Sequence, residues 1–244
     1  MTDAGLEAVV SRLPPALVLN AAAAALAGAA RTVRAGGAVA GALLGAVVLA
    51  FAGWGPYAVL VVFFVLGSAL TRWGWAAKER RGVAEGHRGA RGVLQVIANG
   101  APAAALAVLY WADGGDRLLM MGYAGALAAA SADTASSELG QVYGLRPVSL
   151  TSLKAVPVGT PGAVSGAGTA AGACAGLLIG LAAVPAGVIP FYAVPVVALA
   201  ALAAAMFESL VATAVKGRGG HHALNFTNAC AGAACAMGLW TLFS

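Results

Sequence analysis

The chain has 244 residues, of which 61% are hydrophobic and only 9% charged, with 34 glycines and a formal net charge of +5. Soluble domains carry about 25% charged residues, and 14 basic and 9 acidic side chains cannot cover a water-facing surface of this size. The apolar content lies in long runs of alanine, glycine, valine and leucine, which excludes a β-barrel, a secreted disulfide scaffold and a disordered chain and predicts an all-α integral membrane protein.

At about 20 residues per crossing, the predicted spans are 14–30, 36–53, 56–71, 92–111, 118–136, 163–184, 190–212 and 223–243. They form one polytopic domain over residues 1–244, a bundle of about eight transmembrane helices. Only Arg12 accompanies Asp3 and Glu7 before the first run, which therefore lacks the basic opening of a cleavable signal peptide and is expected to remain as a span. The second and third spans are separated only by Trp54-Gly55-Pro56, and the fifth carries Asp133. Cys174, Cys230 and Cys235 fall inside apolar runs and are expected to be packing residues without a disulfide.

Loops one, three, five and seven hold twelve of the fourteen basic residues: Arg31 and Arg34; Arg72, Lys78, Arg80, Arg81, Arg88 and Arg91; Arg146 and Lys154; Lys216 and Arg218. The opposite side keeps Arg12 and Arg117 and also receives Asp3, Glu7, Asp113 and Asp116. This asymmetry predicts an inner, cytoplasmic membrane location with those four loops cytoplasmic and both termini external. Ala35–Val62 aligns without gaps with Ala170–Val197 at a shift of 135 residues, sharing glycines at 37/172, 41/176 and 45/180. Alanine-rich sequence aligns this way by chance as readily as by duplication; a true duplication would make two four-helix halves in parallel orientation. Either way, glycines spaced by four let helix backbones approach closely in lipid.

Polar residues inside spans are costly in hydrocarbon and so carry the functional information. In the first cluster, a glycine-spaced basic loop with Arg88 and Arg91 runs into the fourth span, where Gln95 and Asn99 share a helical face. Arginines at a helix start suit phosphate; a plain basic loop followed by an interhelical amide pair is the alternative. The second cluster, Ser131 to Gly140, ends the fifth span with Asp133, Ser137 and Glu138. On an ideal helix Asp133 and Glu138 point about 140° apart, so both can face one ion only if the helix unwinds near Ser136. Oxygen ligands of this kind suit Mg²⁺ with substrate phosphates; an ion pair of Asp133 with a neighbouring arginine is the structural alternative. The third stretch offers Lys154 and then Gly159-Thr160-Pro161-Gly162 ahead of Ser165, which is phosphate-cradling chemistry without a Walker pattern. Glu208-Ser209 adds a third intramembrane acid, and Asn225 and Asn228 share a face behind His221 and His222. The two histidines lack neighbouring ligands for a metal site of their own.

At these clusters the sequence resembles the integral membrane family that includes plant and cyanobacterial phytyl-phosphate kinase. The resemblance is carried by Arg91-Gly92 through Gln95-Val96 and Ala98-Asn99-Gly100, by Ala132-Asp133-Thr134 with Ser137-Glu138-Leu139-Gly140, by Lys154 to Gly162 with Val164-Ser165, and by Asn225-Phe226-Thr227-Asn228. Ala135 departs from the tryptophan or leucine usual there. The resemblance implies phosphoryl transfer from a nucleoside triphosphate, CTP in the family, to an isoprenyl monophosphate such as phytyl phosphate at the cytoplasmic face, with Mg²⁺ as cofactor. On that reading Asp133 and Glu138 hold Mg²⁺ and the triphosphate, while Lys154, Arg88 and Arg91 clamp phosphates. Gly159, Thr160 and Gly162 supply backbone and hydroxyl donors, joined by Ser137 and Ser165, and Gln95, Asn99, Asn225 and Asn228 orient the acceptor phosphate or the nucleotide. The alternative is a transporter or flippase of a lipid phosphate, which also needs intramembrane acids and broken helices. The expected partners are the nucleotide, the lipid phosphate and the bilayer, with a homo-oligomer left open and no nucleic acid. Tail length and the choice between CTP and ATP are not encoded in any motif.

Overall fold

The computed structural model describes residues 3–215 and 220–243, so Lys216 and Arg218 lie outside the described residues. The helices run α1 (Asp3–Ala29), α2 (Ala35–Ala52), α3 (Trp54–Arg72), a short α4 (Trp75–Arg80), α5 (Val93–Ala112), α6 (Arg117–Tyr143), α7 (Gly166–Ala183), α8 (Val194–Ala214) and α9 (His221–Phe243). Between α6 and α7 the chain folds back on itself as a two-stranded antiparallel ribbon, β1 (Val148–Ser149) and β2 (Ala163–Val164). Among the described residues, seven helices are long and apolar enough to cross a membrane. The remaining long helix is α6, the expected fifth span, whose polar second half sets it apart from the other seven.

That difference reflects its position. Residues 120–132 of α6 are buried on every side, as expected for a helix that is apolar all round and enclosed by others. It packs on α3, α5, α7, α8 and α9, whereas α1 and α2 form an outer pair joined to α5. At about 1.5 Å per residue its 27 residues span about 40 Å, more than the hydrocarbon core of about 30 Å.

Small residues permit this enclosure. A Cβ on Gly232 of α9 would stand 2.3 Å from the Ala129 Cβ and 2.6 Å from the Gly125 carbonyl oxygen. One on Gly172 of α7 would stand 2.2 Å from Ser136 Oγ. With no hydrophobic drive between helices in lipid, such backbone-level packing is the main source of association.

Contacts sort the loops by end. At one end the backbone N–H of Arg91 donates to Thr32 O at 3.0 Å, Trp73 Nε1 donates to Tyr143 Oη at 2.8 Å, and Arg81 donates to the Gln141 carbonyl at 2.8 Å. At the other, Trp111 Nε1 donates to Gly5 O at 3.0 Å, and Tyr192 stacks on Trp240 at 5.7 Å between ring centroids. The described basic residues of loops one and three thus lie at the same end as the start of loop five, opposite Gly5 and Trp240. Gly53 alone, at φ +85°, turns the chain between α2 and α3, which resolves the two spans separated by almost no loop.

Gly232→Val is expected to destabilise the bundle by about 1–3 kcal/mol, the usual cost of overpacking, read as a lower thermal midpoint of the monodisperse size-exclusion peak in detergent. Gly28→Val, at a position whose added Cβ meets nothing within 4 Å, should leave the midpoint unchanged; equal midpoints for both variants would remove the close-packing account.

Candidate active site

Where the basic loops meet, a cavity of about 280 Å³ is enclosed by the C-terminal turns of α6, the folded α6–α7 loop, the end of α8 and the first turns of α5, α7 and α9. Its acidic side comes from α6 and α8. Asp133 turns toward α8, its carboxyl within hydrogen-bonding reach of Glu208, and Ser137 Oγ lies 3.5 Å from Asp133 Oδ1. Glu138 turns elsewhere: its Oε2 accepts from Lys78 Nζ at 2.5 Å. Lys78, only 1% exposed, also donates to the Thr71 carbonyl at 2.7 Å. α6 does not unwind near Ser136, so the two acids point apart as an intact helix dictates. Both still line the cavity, which wraps the end of the helix.

Of the expected site residues, Asp133, Ser137, Glu138, Gln95, Gly159, Thr160, Gly162, Ser165 and Asn225 all line this cavity. Gly159 and Gly162 have φ of +86° and +74°, in the left-handed region that glycine enters without strain. Gly162 also lies so close to α8 that a Cβ would stand 2.4 Å from Ser209 O, and the Thr213 hydroxyl donates to the Gly162 carbonyl at 3.1 Å. The loop is thereby pinned over the acids. Thr160 Oγ1 donates to Pro157 O at 2.7 Å, and Ser165 caps α7 by accepting from the Gly168 N–H at 3.2 Å.

Five expected residues stand elsewhere. Lys154 and Arg88 are exposed and do not line the cavity. Arg91 and Asn99 are buried, at 4% and 3% exposure, and line a second cavity beside the first. Asn228 is fully buried and donates to the Ala129 carbonyl at 3.0 Å, tying α9 to α6. Its position one turn below Asn225 accounts for this: the shared face continues downward into the bundle, away from the cavity.

Two residues of the site carry no local signal in the sequence: Lys78 reads there only as loop charge, and Glu85 is not singled out. Lys78 is the counter-ion of Glu138, across 60 residues of sequence. Glu85, exposed at the rim, has its carboxyl pushed above the usual carboxylate range by the surrounding protein and then by Glu138, against the pull of His221, Arg91 and Lys78. Glu208, noticed in the sequence as an acid without a role, is the group that meets Asp133.

The electrostatic pattern is polarised. α5, α7 and α9 all begin at this end, with Gln95, Ser165, Gly168, His221 and Asn225 from their first turns in the lining. Helix N-termini present free N–H groups and positive dipole ends that attract anions. The same lining holds Asp133 and Glu208, oxygen ligands suited to a hard divalent cation that completes its shell with water and phosphate. Among the described residues no group of three or more His, Cys, Asp or Glu is placed to hold a metal ion unaided.

Fold and site together define a polytopic helical membrane protein with a cavity at one end lined by acids and by the first turns of three helices. The chain belongs to the integral membrane protein family DUF92, whose family profile matches residues 18–225. It is 34% identical over 202 residues to an uncharacterized membrane protein of Synechocystis sp., covering 81% of this chain and 78% of that one. It is 35% identical over 127 residues to the chloroplastic protein VTE6 of Arabidopsis thaliana, covering 50% of this chain and 38% of the plant protein. An uncharacterized membrane protein of Methanocaldococcus jannaschii is 31% identical over 145 residues, 59% of each chain. No solved structure matches.

Lys78→Met strands Glu138 as a buried unpaired charge and is expected to cost about 3–5 kcal/mol, measured as the thermal midpoint in detergent. Adding Glu138→Leu should recover most of the loss; a single variant as stable as the wild type would show that the pair does not hold the α3–α5 connection to α6.

Proposed function

We propose that the protein is a membrane kinase that transfers a phosphoryl group from a nucleoside triphosphate to an isoprenyl monophosphate, giving the diphosphate. The observation that carries this reading is the union in one cavity of an acidic pair, Asp133 and Glu208, with three helix N-termini. Reagents that are polyanions and require a divalent cation suit both halves of that arrangement. Family membership supports it, since the sequence resemblance implies this reaction with CTP as donor. The basic loops around the cavity support a cytoplasmic active face by the charge asymmetry of the loops.

The acceptor is a phosphate monoester, already largely ionised at neutral pH. One of its oxygens attacks the γ-phosphorus, the bond from γ-phosphorus to the β,γ-bridging oxygen breaks, and the nucleoside diphosphate leaves with that electron pair. No strong base is needed; the barrier falls through alignment and neutralisation of charge. Asp133 with Glu208, and Glu138 on the adjacent face, are the groups for Mg²⁺, which when bound supplies charge neutralisation on the phosphates. The N–H groups of the Gly159–Gly162 loop and of the α7 start, with Thr160, hold the donor phosphates. Gln95 and Asn225 position the acceptor, and the Asn225 Oδ1, buried without a hydrogen-bond partner among the described residues, is free to take a ligand N–H or an ordered water. Lys78 acts through Glu138 as a positioning residue.

Detergent-purified protein supplied with Mg²⁺, CTP or ATP, and phytyl, geranylgeranyl or farnesyl monophosphate is expected to form the lipid diphosphate only when metal and nucleotide are both present. Asp133→Asn and Glu208→Gln should each lower turnover by at least about 100-fold, the scale of losing one electrostatic group from a preorganised site, while the proteins purify normally. Full turnover by a folded Asp133→Asn preparation would sink the assignment. Binding of the lipid phosphates without any diphosphate formation would favour a carrier.

A further inference from the structure

Beside the polar cavity lies a larger one, of about 570 Å³, walled by α1, α2, α3 and α5. Its volume falls within the range of about 300–1,000 Å³ that encloses a drug-sized ligand. Most of its wall is aliphatic or aromatic, with Ala24, Gly41, Leu60 and Phe64 typical. Among the polar exceptions, Asn20 and Tyr57 satisfy each other, the Tyr57 hydroxyl donating to Asn20 Oδ1 at 3.2 Å. Ser68 Oγ, Arg91 Nε and Asn99 Oδ1 are buried on this wall without a hydrogen-bond partner among the described residues. Arg91 is 4% exposed, its guanidinium lies 5.8 Å from the centre of the Phe63 ring, and it approaches α3 so closely that a Cβ on Gly67 would stand 2.2 Å from its Nη2.

A buried guanidinium is costly unless paired, and it stays protonated in proteins. Burial pulls the Arg91 pKa down, while Glu138 and then Glu85 pull it up; both acids line the polar cavity. Gln95 lines both cavities and marks where they adjoin. One space is thus suited to hydrocarbon and its neighbour to phosphates, with a buried guanidinium that no carboxylate pairs directly among the described residues, and unfilled polar groups, beside the junction.

We propose that the cavity between α1, α2, α3 and α5 holds the hydrocarbon chain of a single-chain lipid phosphate, with Arg91, Asn99 and Ser68 meeting its head at the Gln95 junction. The proposal deepens the kinase reading and rests on it for the identity of the head as the phosphoryl acceptor. It gives the acceptor a lateral route: the chain stays among helices at the lipid side while its phosphate presents an oxygen to the polar cavity. Arg91, outside the polar cavity, is then the acceptor's counter-ion and not a clamp for the nucleotide.

The test uses the full chain in phosphatidylcholine nanodiscs and farnesyl monophosphate carrying a diazirine on its terminal isoprene unit, with the matching farnesol diazirine as control. After irradiation, labelled peptides are mapped by mass spectrometry. Labels are expected on α1, α2, α3 and α5, at least about tenfold stronger for the monophosphate than for the alcohol, as one charge-assisted contact gives. Excess farnesyl monophosphate should compete and inorganic phosphate should not. Gly41→Leu, whose Cβ meets nothing nearer than Val96 at 3.9 Å, should fill the space and suppress labelling, and Arg91→Gln should erase the preference for phosphate over alcohol. Labels confined to α7, α8 or α9, equal labelling by the two probes in the wild type, or no labelling would each overturn the proposal without recourse to a variant. Labelling at the expected helices in a protein that forms no diphosphate sinks the kinase reading and leaves the cavity assignment standing; diphosphate formation with labels elsewhere does the reverse.

Discussion

Asp133, Glu138 and Glu208 must be kept from hydrocarbon, and the arrangement of the bundle follows from how that is done. A carboxylate facing lipid would cost several kcal/mol or force its helix out of the membrane. Here the helix with two of the three acids is the innermost, with five others packed on it, leaving Glu138 buried and Asp133 half-buried against the cavity. Such enclosure demands a narrow helix. α6 supplies one through residues 124–132, where Leu127 is the one side chain larger than alanine or serine, and its neighbours supply glycines where they touch it. Chemistry at the end of α6 and small residues along its length are thus one requirement seen at two levels.

Alternating chain direction then sorts charge along the axis. α5, α7 and α9, which begin at the polar end, bring donors there, and α6 and α8, which end there, bring acids. A bundle crossing back and forth therefore produces facing half-sites of opposite sign without any binding motif, and the folded α6–α7 loop only has to close over them. The loop is held to α8 by the close approach at Gly162 and not by an extensive interface.

The sequence made the helical class, the positions of the long helices and the clustering of polar groups at one end legible, because run length and loop charge are local signals. Nine of the fourteen site positions meet in the cavity for the same reason: motif segments at helix ends travel together. What escaped was pairing across distance. Lys78 sits in a loop crowded with basic residues, where each reads as topology, and nothing local distinguishes the one that turns inward. The separation of Asn225 from Asn228, and of Gln95 from Asn99, also lies beyond a periodicity argument. Shared helical face fixes azimuth, whereas a rise of one turn moves a side chain from one compartment to the next. The angle between Asp133 and Glu138 was legible, but the remedy suggested by it, a frayed helix, was not needed once the cavity curved around the helix end. Glu208 needed only its partner, which lies two helices back along the chain.

Gly67 shows how such a protein constrains its own drift. Much of the surface of α3 meets lipid and could exchange one apolar residue for another with little effect. At position 67 the neighbour is a buried guanidinium, and a methyl group there would oblige the Nη2 end of Arg91 to shift. An alanine at that point would look harmless in a comparison of hydropathy profiles. Its effect would be electrostatic, felt across the junction by Glu85 and Glu138, so the smallest change on the helix could alter the site's charge balance more than many larger changes on its outer face.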